Sequence, residues 1–282
     1  MYLNCNKKTL SRLSEDAFRV ISLEVIKYQL TKSNFSVDDV SHFIKGSNSY
    51  FFLFLCPYCK ATAILSTSKR MGMKPFVCVF CGETDPFYKT ETCLEKVKTI
   101  KDMIISIQGE NDKSDISEKR IRILLEQCIV LLASVFEIFL RDVHSILMNV
   151  RYVKENKSLY KKFYLDSKND FINLGKATQK YKNDLSIDLK SKLNKTERGS
   201  IDLLLNKRHL IVHNNGVVDS TFLSQTGLNL KIKDLVPIEL DEISGNVNLI
   251  RHVIKMVGFS YKRDVGKELI ERINNQYGIK KD

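Results

Sequence analysis

The chain has 282 residues, of which 43% are hydrophobic and 28% charged, a composition that excludes the disordered and fibrous classes. Its 45 Lys and Arg residues outnumber 33 Asp and Glu residues and give a net charge of +12, typical of a partner of nucleic acid or an anionic membrane surface, or of a lysine-rich soluble surface. The apolar run from Ile129 to Phe136, interrupted only by Ser134, is far shorter than the roughly 18 residues that span a bilayer, and the N-terminus lacks the apolar stretch of a secretory signal. We therefore expect a cytoplasmic protein without a membrane segment.

The N-terminal region changes its periodicity near Gly46. Residues 1–48 carry apolar side chains at helical spacing and are predicted to form a helical segment. Beyond Gly46, short apolar and aromatic runs separated by Gly and Pro predict strands and turns over residues 49–90. These runs are Ser49 to Leu55, Ala61 to Ser66 and Phe76 to Phe80.

Four cysteines in this region form two C-x2-C pairs, Cys56 with Cys59 and Cys78 with Cys81, separated by the 18 residues 60–77. This spacing is typical of a tetrahedral zinc site, and disulfides are improbable in the cytosol. Four protein ligands leave no open coordination position, so we expect one structural Zn²⁺ per chain. Chance pairing of buried thiols and a redox pair are the alternatives, although redox chemistry needs only one C-x-x-C.

The segment from about Tyr50 to Phe87 resembles a zinc ribbon, because its C-x2-C pairs are flanked by short aromatic strands. Zinc ribbons bind nucleic acid or protein, and the basic residues here do not choose between these partners.

The remainder of the chain is predicted to be helical. A run from Glu91 to Gln108 gives a helical connector over residues 91–115, ending in a polar segment that we take as a domain boundary. Residues 116–282 are then predicted to form a helical bundle in a mainly α protein. Its strongest helix carries one apolar stripe, and later helices are predicted at Ser200 to His213 and from Asp241 toward Phe259. The stripe consists of Leu124, Cys128, Leu131, Val135, Phe139, Val143 and Ile146.

A second constellation lies at the end of the helix predicted for Ser200 to His213. Arg208 falls on the apolar face of this helix, where an always-charged guanidinium needs an anion or an acceptor. His209 and His213 are four residues apart and share a different face. From these residues alone, a buried ion pair of Arg208 with Glu137 and ordinary structural histidines is the simplest interpretation.

The segment from Arg208 to Gly216, RHLIVHNNG, resembles the R-x4-H motif of the HEPN superfamily. Upstream, Val135 to Asp142, VFEIFLRD, is similar to the FExFLRD segment of many bacterial HEPN proteins, and the likeness extends over about Ser117 to Phe259. The resemblance implies an all-α bundle that dimerises so that two motifs share a cleft. It also implies a metal-independent endoribonuclease with a bacterial toxin or antiphage defence role.

The roles expected from this resemblance fit the chemistry of the side chains. His213 is the candidate acid or base for attack by the RNA 2′-OH, and Arg208 is the candidate clamp for the phosphoryl oxygens. His209 is expected to transfer a second proton or to orient the phosphate. Glu137 is expected to fix Arg208 or a histidine, and Asn214 to contact the substrate. No cofactor is expected for catalysis.

A non-catalytic adaptor is the alternative function, in which the zinc ribbon and the bundle bind nucleic acid or protein. A zinc-dependent enzyme is disfavoured by the four thiolates.

Overall fold

The computed structural model of the protein describes residues 49–68, 78, 80–109, 114–153 and 158–277. Within these residues the chain is mainly helical, which confirms the predicted mainly α class. The helices predicted for residues 1–48 and most of the run from Phe76 to Phe80 lie outside the described residues.

Two strands precede the helices. Strand β1, Ser49–Leu55, pairs antiparallel with β2, Thr62–Ser68, with Ser49 opposite Ser68 and Leu55 opposite Thr62. The turn that joins the strands is residues 56–61, so the first C-x2-C pair lies at the tip of this hairpin.

Helices make up most of the described chain after residue 85. Three of them, α3, α4 and α5, are short and lie between the two longer helices α2 and α6. In chain order the helices are α1 Pro86–Gly109, α2 Asp115–Tyr152, α3 Tyr160–Asp166, α4 Leu174–Leu185, α5 Leu189–Lys192, α6 Lys195–Asn214, α7 Ser220–Thr226 and α8 Leu240–Tyr277.

The chain divides into two compact units that differ from the predicted domains. Among the described residues, the first unit combines those within 49–85, 149–160 and 261–277, and the second combines those within 86–148 and 161–260. Helix α1 and most of α2 belong to the same unit, so no unit boundary lies at the polar segment around residues 109–115. The cysteine turns therefore share a unit with the end of α2 and the C-terminal part of α8.

The apolar stripe of α2 provides much of the core of the second unit. Cys128, Phe139, Val143 and Ile146 are all at most 2% exposed. Burial raises the pKa of the Cys128 thiol to about 11, which agrees with its interpretation as a small core residue.

Helix α2 also meets the length and hydropathy criteria for a membrane-spanning helix. Its most apolar 18-residue window has a mean hydropathy of 2.2, and 44% of that window is buried inside the fold. Core helices of soluble proteins pass the same test. One helix of this kind is weak support for a membrane span, and the absence of a membrane segment stays a prediction.

Helix α6 has a defined start and a defined end. Its N-terminus is a capping box, in which Asn194 accepts from the Glu197 backbone N–H and Glu197 accepts from that of Asn194, both at 2.8 Å. At its C-terminus Asn215 and Gly216 adopt left-handed conformations, as the Asn-Asn-Gly sequence predicts. The end of α6 is packed by a buried cluster of Leu210, Val218, Phe222 and Val236.

Candidate metal centre and candidate active site

The four cysteine thiols of the two C-x2-C pairs come together in the first unit, with their sulfur atoms within 4.8 Å of one another. The Sγ atoms of Cys56 and Cys81 are 3.6 Å apart, and those of Cys59 and Cys78 are 3.8 Å apart. Sulfur atoms at the corners of a tetrahedron around an ion at about 2.3 Å are separated by about 3.8 Å. The cluster therefore has the dimensions of a four-thiolate metal site.

The two cysteine turns have the same backbone design. In the first, the Cys56 N–H donates to the Ala61 carbonyl and the Lys60 N–H to the Cys56 carbonyl. In the second, Cys78, Glu83 and Gly82 repeat this pattern, and all four bonds are 2.8 Å long. The residue after the second cysteine has a positive φ in both turns, 62° at Lys60 and 73° at Gly82. Gly82 adopts this conformation freely, whereas Lys60 does so at a cost.

The thiols differ in how easily they ionise in the absence of a cation. Burial raises the pKa of Cys56 well above its ordinary value and that of Cys81 to about 11. Burial also opposes ionisation of Cys78, but backbone N–H groups of Phe80 and Cys81 outweigh it and lower its pKa. A bound cation would replace the thiol protons, so the cluster is expected to lose metal as the pH falls.

Side chains of the same unit hold the carbonyls of the first cysteine turn. The buried Asn149 amide donates to the Pro57 carbonyl at 2.9 Å, and the Ser158 hydroxyl donates to the Tyr58 carbonyl. Arg272 of α8 donates to the Lys60 carbonyl at 3.3 Å. The turn is therefore fixed to the end of α2 and to α8 through its main chain.

Lys60 adds a buried ionic link to α8. Its side chain is 1% exposed, and its Nζ lies 3.8 Å from Glu268 Oε1 and donates to the Val153 carbonyl. Glu268 also accepts from Arg272 Nε at 2.7 Å. A buried ammonium needs such partners, and these contacts join the first cysteine turn to α8 and to the end of α2.

At the end of α6, the second unit brings His209 and His213 together. Both residues are exposed, and their ring centroids are 4.5 Å apart with an angle of 46° between the planes. The helical spacing of four residues accounts for this contact. Neither ring makes a hydrogen bond or ion pair with the described residues.

Arg208 lies on a different side of α6 from the two histidines. Its neighbours on the apolar face, Ile201, Leu204 and Leu205, are buried, and its own Nε is buried with no hydrogen-bond partner. No ion pair of Arg208 is found among the described residues. The side chains of Arg208 and His213 therefore do not contact each other within one chain.

The turn after His213 rests on a half-buried pair of charges from α2. Arg122 Nε donates to Glu126 Oε1 at 2.6 Å, and Arg122 Nη1 donates to the Val236 carbonyl at 2.5 Å. Gly216 has a φ of 74°, and a Cβ there would lie 2.9 Å from Arg122 Nη2 and 3.1 Å from Glu126 Oε1. Asn214 closes the turn by donating to the Val217 carbonyl at 2.6 Å.

Glu137 does not fix the Arg208 or histidine side chains in the described part of the chain. Its Oε1 lies 3.2 Å from Arg141 Nη2, one turn further along α2. Glu126, which does lie against Gly216, is eleven residues earlier, or about 16 Å along the helix axis. Glu137 is thus three turns away from the part of α2 that supports the end of α6.

Several of these supporting residues were missed by the sequence interpretation. Arg122 and Glu126 carry only the common i,i+4 signal of a helical ion pair. Nothing in the sequence marks Asn149 as a partner of the first cysteine turn, or Lys60 as the residue that links this turn to α8, because both act through contacts between distant segments.

Comparison of the chain with protein-family models, with curated proteins and with solved structures finds no match.

Proposed function

We propose that the chain is a metal-independent endoribonuclease of the HEPN type. The observation that supports this most directly is the contact of two exposed histidine rings at the end of α6, one residue from an arginine whose Nε is buried without a partner. Proton-transfer groups and a guanidinium without an ion pair among the described residues suit the cleavage of a phosphodiester once a second copy brings them together.

In the proposed reaction the RNA 2′-OH attacks the adjacent phosphorus. The O2′–P bond forms, the P–O5′ bond breaks, and the 2′ proton passes to a base while an acid protonates the departing O5′. His213 fills one of these roles and His209, or His213 of a second copy, fills the other. Arg208 neutralises the extra negative charge on the phosphoryl oxygens through its planar set of donors. The Asn214 amide nitrogen already donates to the Val217 carbonyl at the end of the helix. A contact of Asn214 with substrate would therefore use its second amide N–H or its amide oxygen.

A second copy of the chain is part of the proposal, because Arg208 and His213 project from different sides of α6. A homodimer with both α6 ends near the two-fold axis would let one motif's Arg208 act beside the other's His213. Light scattering at micromolar concentration tests this, and a monomer would contradict it.

We assign a structural Zn²⁺ to Cys56, Cys59, Cys78 and Cys81, within a zinc-ribbon fold. The sulfur spacing and the absence of an open ligand position support this assignment, and the contacts of the first turn with α8 give the metal a role in holding the unit together. We further propose that the protein acts in the cytoplasm as a toxin or in defence against phage.

The test is incubation of the purified full-length protein with RNA in a chelator too weak to remove the structural zinc, followed by end-group analysis. We expect products with 2′,3′-cyclic phosphate and 5′-OH ends, and no cleavage of a strand whose attacking 2′-OH is replaced by hydrogen. Arg208→Lys should cut more slowly, because a point charge does not reproduce the guanidinium donors.

Arg263→Lys is the matched control, since the Arg263 side chain is 58% exposed and pairs with the largely buried Asp264. It should cut RNA like the parent. Equal cleavage of the ribo- and deoxy-substituted strands would overturn the mechanism, and RNA binding without cleavage would favour the adaptor.

A further inference from the structure

A cavity of about 440 Å³ lies between the first half of α6 and α8, within the second unit. Its size falls within the range of small-molecule sites. Leu203 and Leu249 give it apolar walls, while Glu197, Ser200 and Asn246 are among the polar groups that line it. This combination of apolar walls and a few polar groups is typical of a small-molecule binding site.

Asn246 is the residue that most clearly lacks a partner in this cavity. Asn246 as a whole is 4% exposed, and no hydrogen bond of its amide is found among the described residues. Its amide atoms are not among the fully buried atoms that lack a partner, so they are accessible to a molecule in the cavity. A ligand that both donates to and accepts from this amide would gain two hydrogen bonds.

The two carboxylates of the cavity are not equivalent. Glu242 Oε2 lies 2.6 Å from Lys207 Nζ, so its charge is neutralised within the protein. Glu197 Oε2 accepts from the Asn194 backbone N–H, and Glu197 Oε1 lies 3.8 Å from His252 Nε2. Each carboxylate oxygen has two acceptor positions, so Glu197 retains acceptor capacity toward a ligand.

We propose that this cavity binds a guanine base. Guanine has two adjacent donors, N1–H and the N2 amino group, which match a carboxylate such as Glu197, and its O6 accepts from an amide such as Asn246. Adenine, cytosine and uracil each place an acceptor beside their donor on the same edge, and that acceptor would oppose a carboxylate oxygen. The faces of the base would contact Leu203 and Leu249.

The cavity and Arg208 lie on the same helix, α6, which links the cavity to the proposed ribonuclease function. The inference that the base comes from RNA rests on that proposed function. Ser200 and Arg208 are eight residues apart, or about 12 Å along the helix. Glu197 and Arg208 are eleven residues apart, close to three full turns, and so project from the same side of α6. A strand with a guanine in the cavity would place a phosphate a few nucleotides away near Arg208. The base belongs to RNA or to a free guanine nucleotide, and the two sources share this chemistry.

The test measures binding by the full-length protein of short 2′-O-methyl RNA strands, which lack the attacking hydroxyl. The strands differ at one position, which holds guanine, inosine or adenine, and GMP and AMP serve as the free nucleotides. We expect guanine to bind better than inosine, which lacks the N2 amino group, and inosine better than adenine. Tighter binding of the strand than of GMP identifies RNA as the source, and equal binding identifies the free nucleotide.

Two variants test the residues. Asn246→Leu keeps the side-chain size and should weaken guanine binding on the order of tenfold, while the thermal stability of the free protein is not lowered, because no protein partner is lost. Glu197→Gln keeps an acceptor for the helix cap and should reduce the preference for guanine over inosine. Asn183→Leu, on the exposed side of α4, is the matched control and should bind guanine like the parent.

Equal binding of the guanine and adenine strands, or unchanged guanine preference in Asn246→Leu, would overturn the proposal. Binding is measured without cleavage, so a failure here leaves the ribonuclease proposal standing. Conversely, a protein that prefers guanine but cuts no RNA would contradict only the ribonuclease proposal.

Discussion

At the first cysteine turn, the carbonyls of Pro57, Tyr58 and Lys60 each accept a hydrogen bond from a side chain of the same unit. At the end of α6, the Arg208 Nε is buried without a partner, and His209 and His213 are exposed and contact each other. The first region has its polar groups satisfied within the protein, as a structural element does. The second leaves donors available, as a site for an anionic ligand does.

The two regions also differ in how each accommodates a residue with a left-handed backbone conformation. Lys60 holds a left-handed conformation, and its buried ammonium is partnered by Glu268 and by the Val153 carbonyl. Gly216 holds a similar conformation without strain, but its lack of a side chain is what allows Arg122 to approach the end of α6. The two positions therefore respond differently to substitution.

The largest effect is expected from breaking the cysteine cluster. Cys56→Ser should abolish stoichiometric metal binding and release the C-terminal part of α8, because structural zinc contributes on the order of 10 kcal/mol to small metal-bound domains. Elemental analysis and hydrogen exchange around Glu268 and Arg272 would measure both changes. Exchange in α6 should rise much less.

Cys93→Ser is the control for this experiment, since Cys93 stands apart from the cluster and is partly buried on α1. It should keep one zinc per chain. Full metal occupancy in Cys56→Ser would contradict the four-ligand assignment, and unchanged exchange around Glu268 after metal loss would contradict the proposed link to α8.

A smaller effect is expected at Gly216. Gly216→Ala forces a side chain into a left-handed conformation 2.9 Å from Arg122 Nη2 and should lower the free energy of unfolding by about 1–3 kcal/mol. Gly199→Ala is the matched control on the same helix, where a Cβ meets nothing within 4 Å. It should raise stability by about 0.5–1 kcal/mol. Denaturant unfolding measures both values, and equal effects would show that Arg122 does not approach the turn closely.

The smallest effect concerns the pH dependence of stability. Burial lowers the pKa of His144 from its ordinary value of 6.5, although the hydrogen bond with Asp184, 2.9 Å from Nε2, partly offsets this. Its Nδ1 is buried without a partner, so the neutral ring is the form that the fold accommodates. Below about pH 6.5 the unfolded chain binds a proton at His144 more readily than the folded chain does. The free energy of unfolding should therefore decrease as the pH falls, by at most about 1.4 kcal/mol per pH unit.

Replacement of His144 by Gln should remove this component of the pH dependence below about pH 6.5. Denaturant unfolding at several pH values, with the parent beside the variant, makes the comparison. A parent whose stability rises as the pH falls through this range would mean that the Asp184 interaction outweighs burial.

The local sequence pattern was sufficient to predict several features of the fold and of the candidate metal site. The four-residue spacing of buried side chains predicted α2, and the Asn-Asn-Gly sequence predicted the end of α6. The two C-x2-C pairs identified the cysteines that the structure brings together. Each of these signals comes from residues close in sequence, where backbone geometry alone relates them.

Features that depend on distant segments were not predicted from the sequence. The first unit joins described residues within 49–85 to parts of α2 and α8, so no local composition change marks its limits. Glu137 was assigned to Arg208 as a buried ion pair from the residues alone, and to Arg208 or a histidine by resemblance, whereas the neighbour of the α6 end is the Arg122 and Glu126 pair, three turns earlier on α2. Asn246 attracted no attention because a polar residue in an amphipathic helix is ordinary until its burial is known.

The rate of RNA cleavage by His213→Ala relative to the parent, at equal zinc content, tests the central claim most directly. The account predicts a loss of at least about 100-fold, typical of the removal of a general acid or base, with RNA binding retained. Cleavage at the parental rate would contradict the assignment of the end of α6 as the active site.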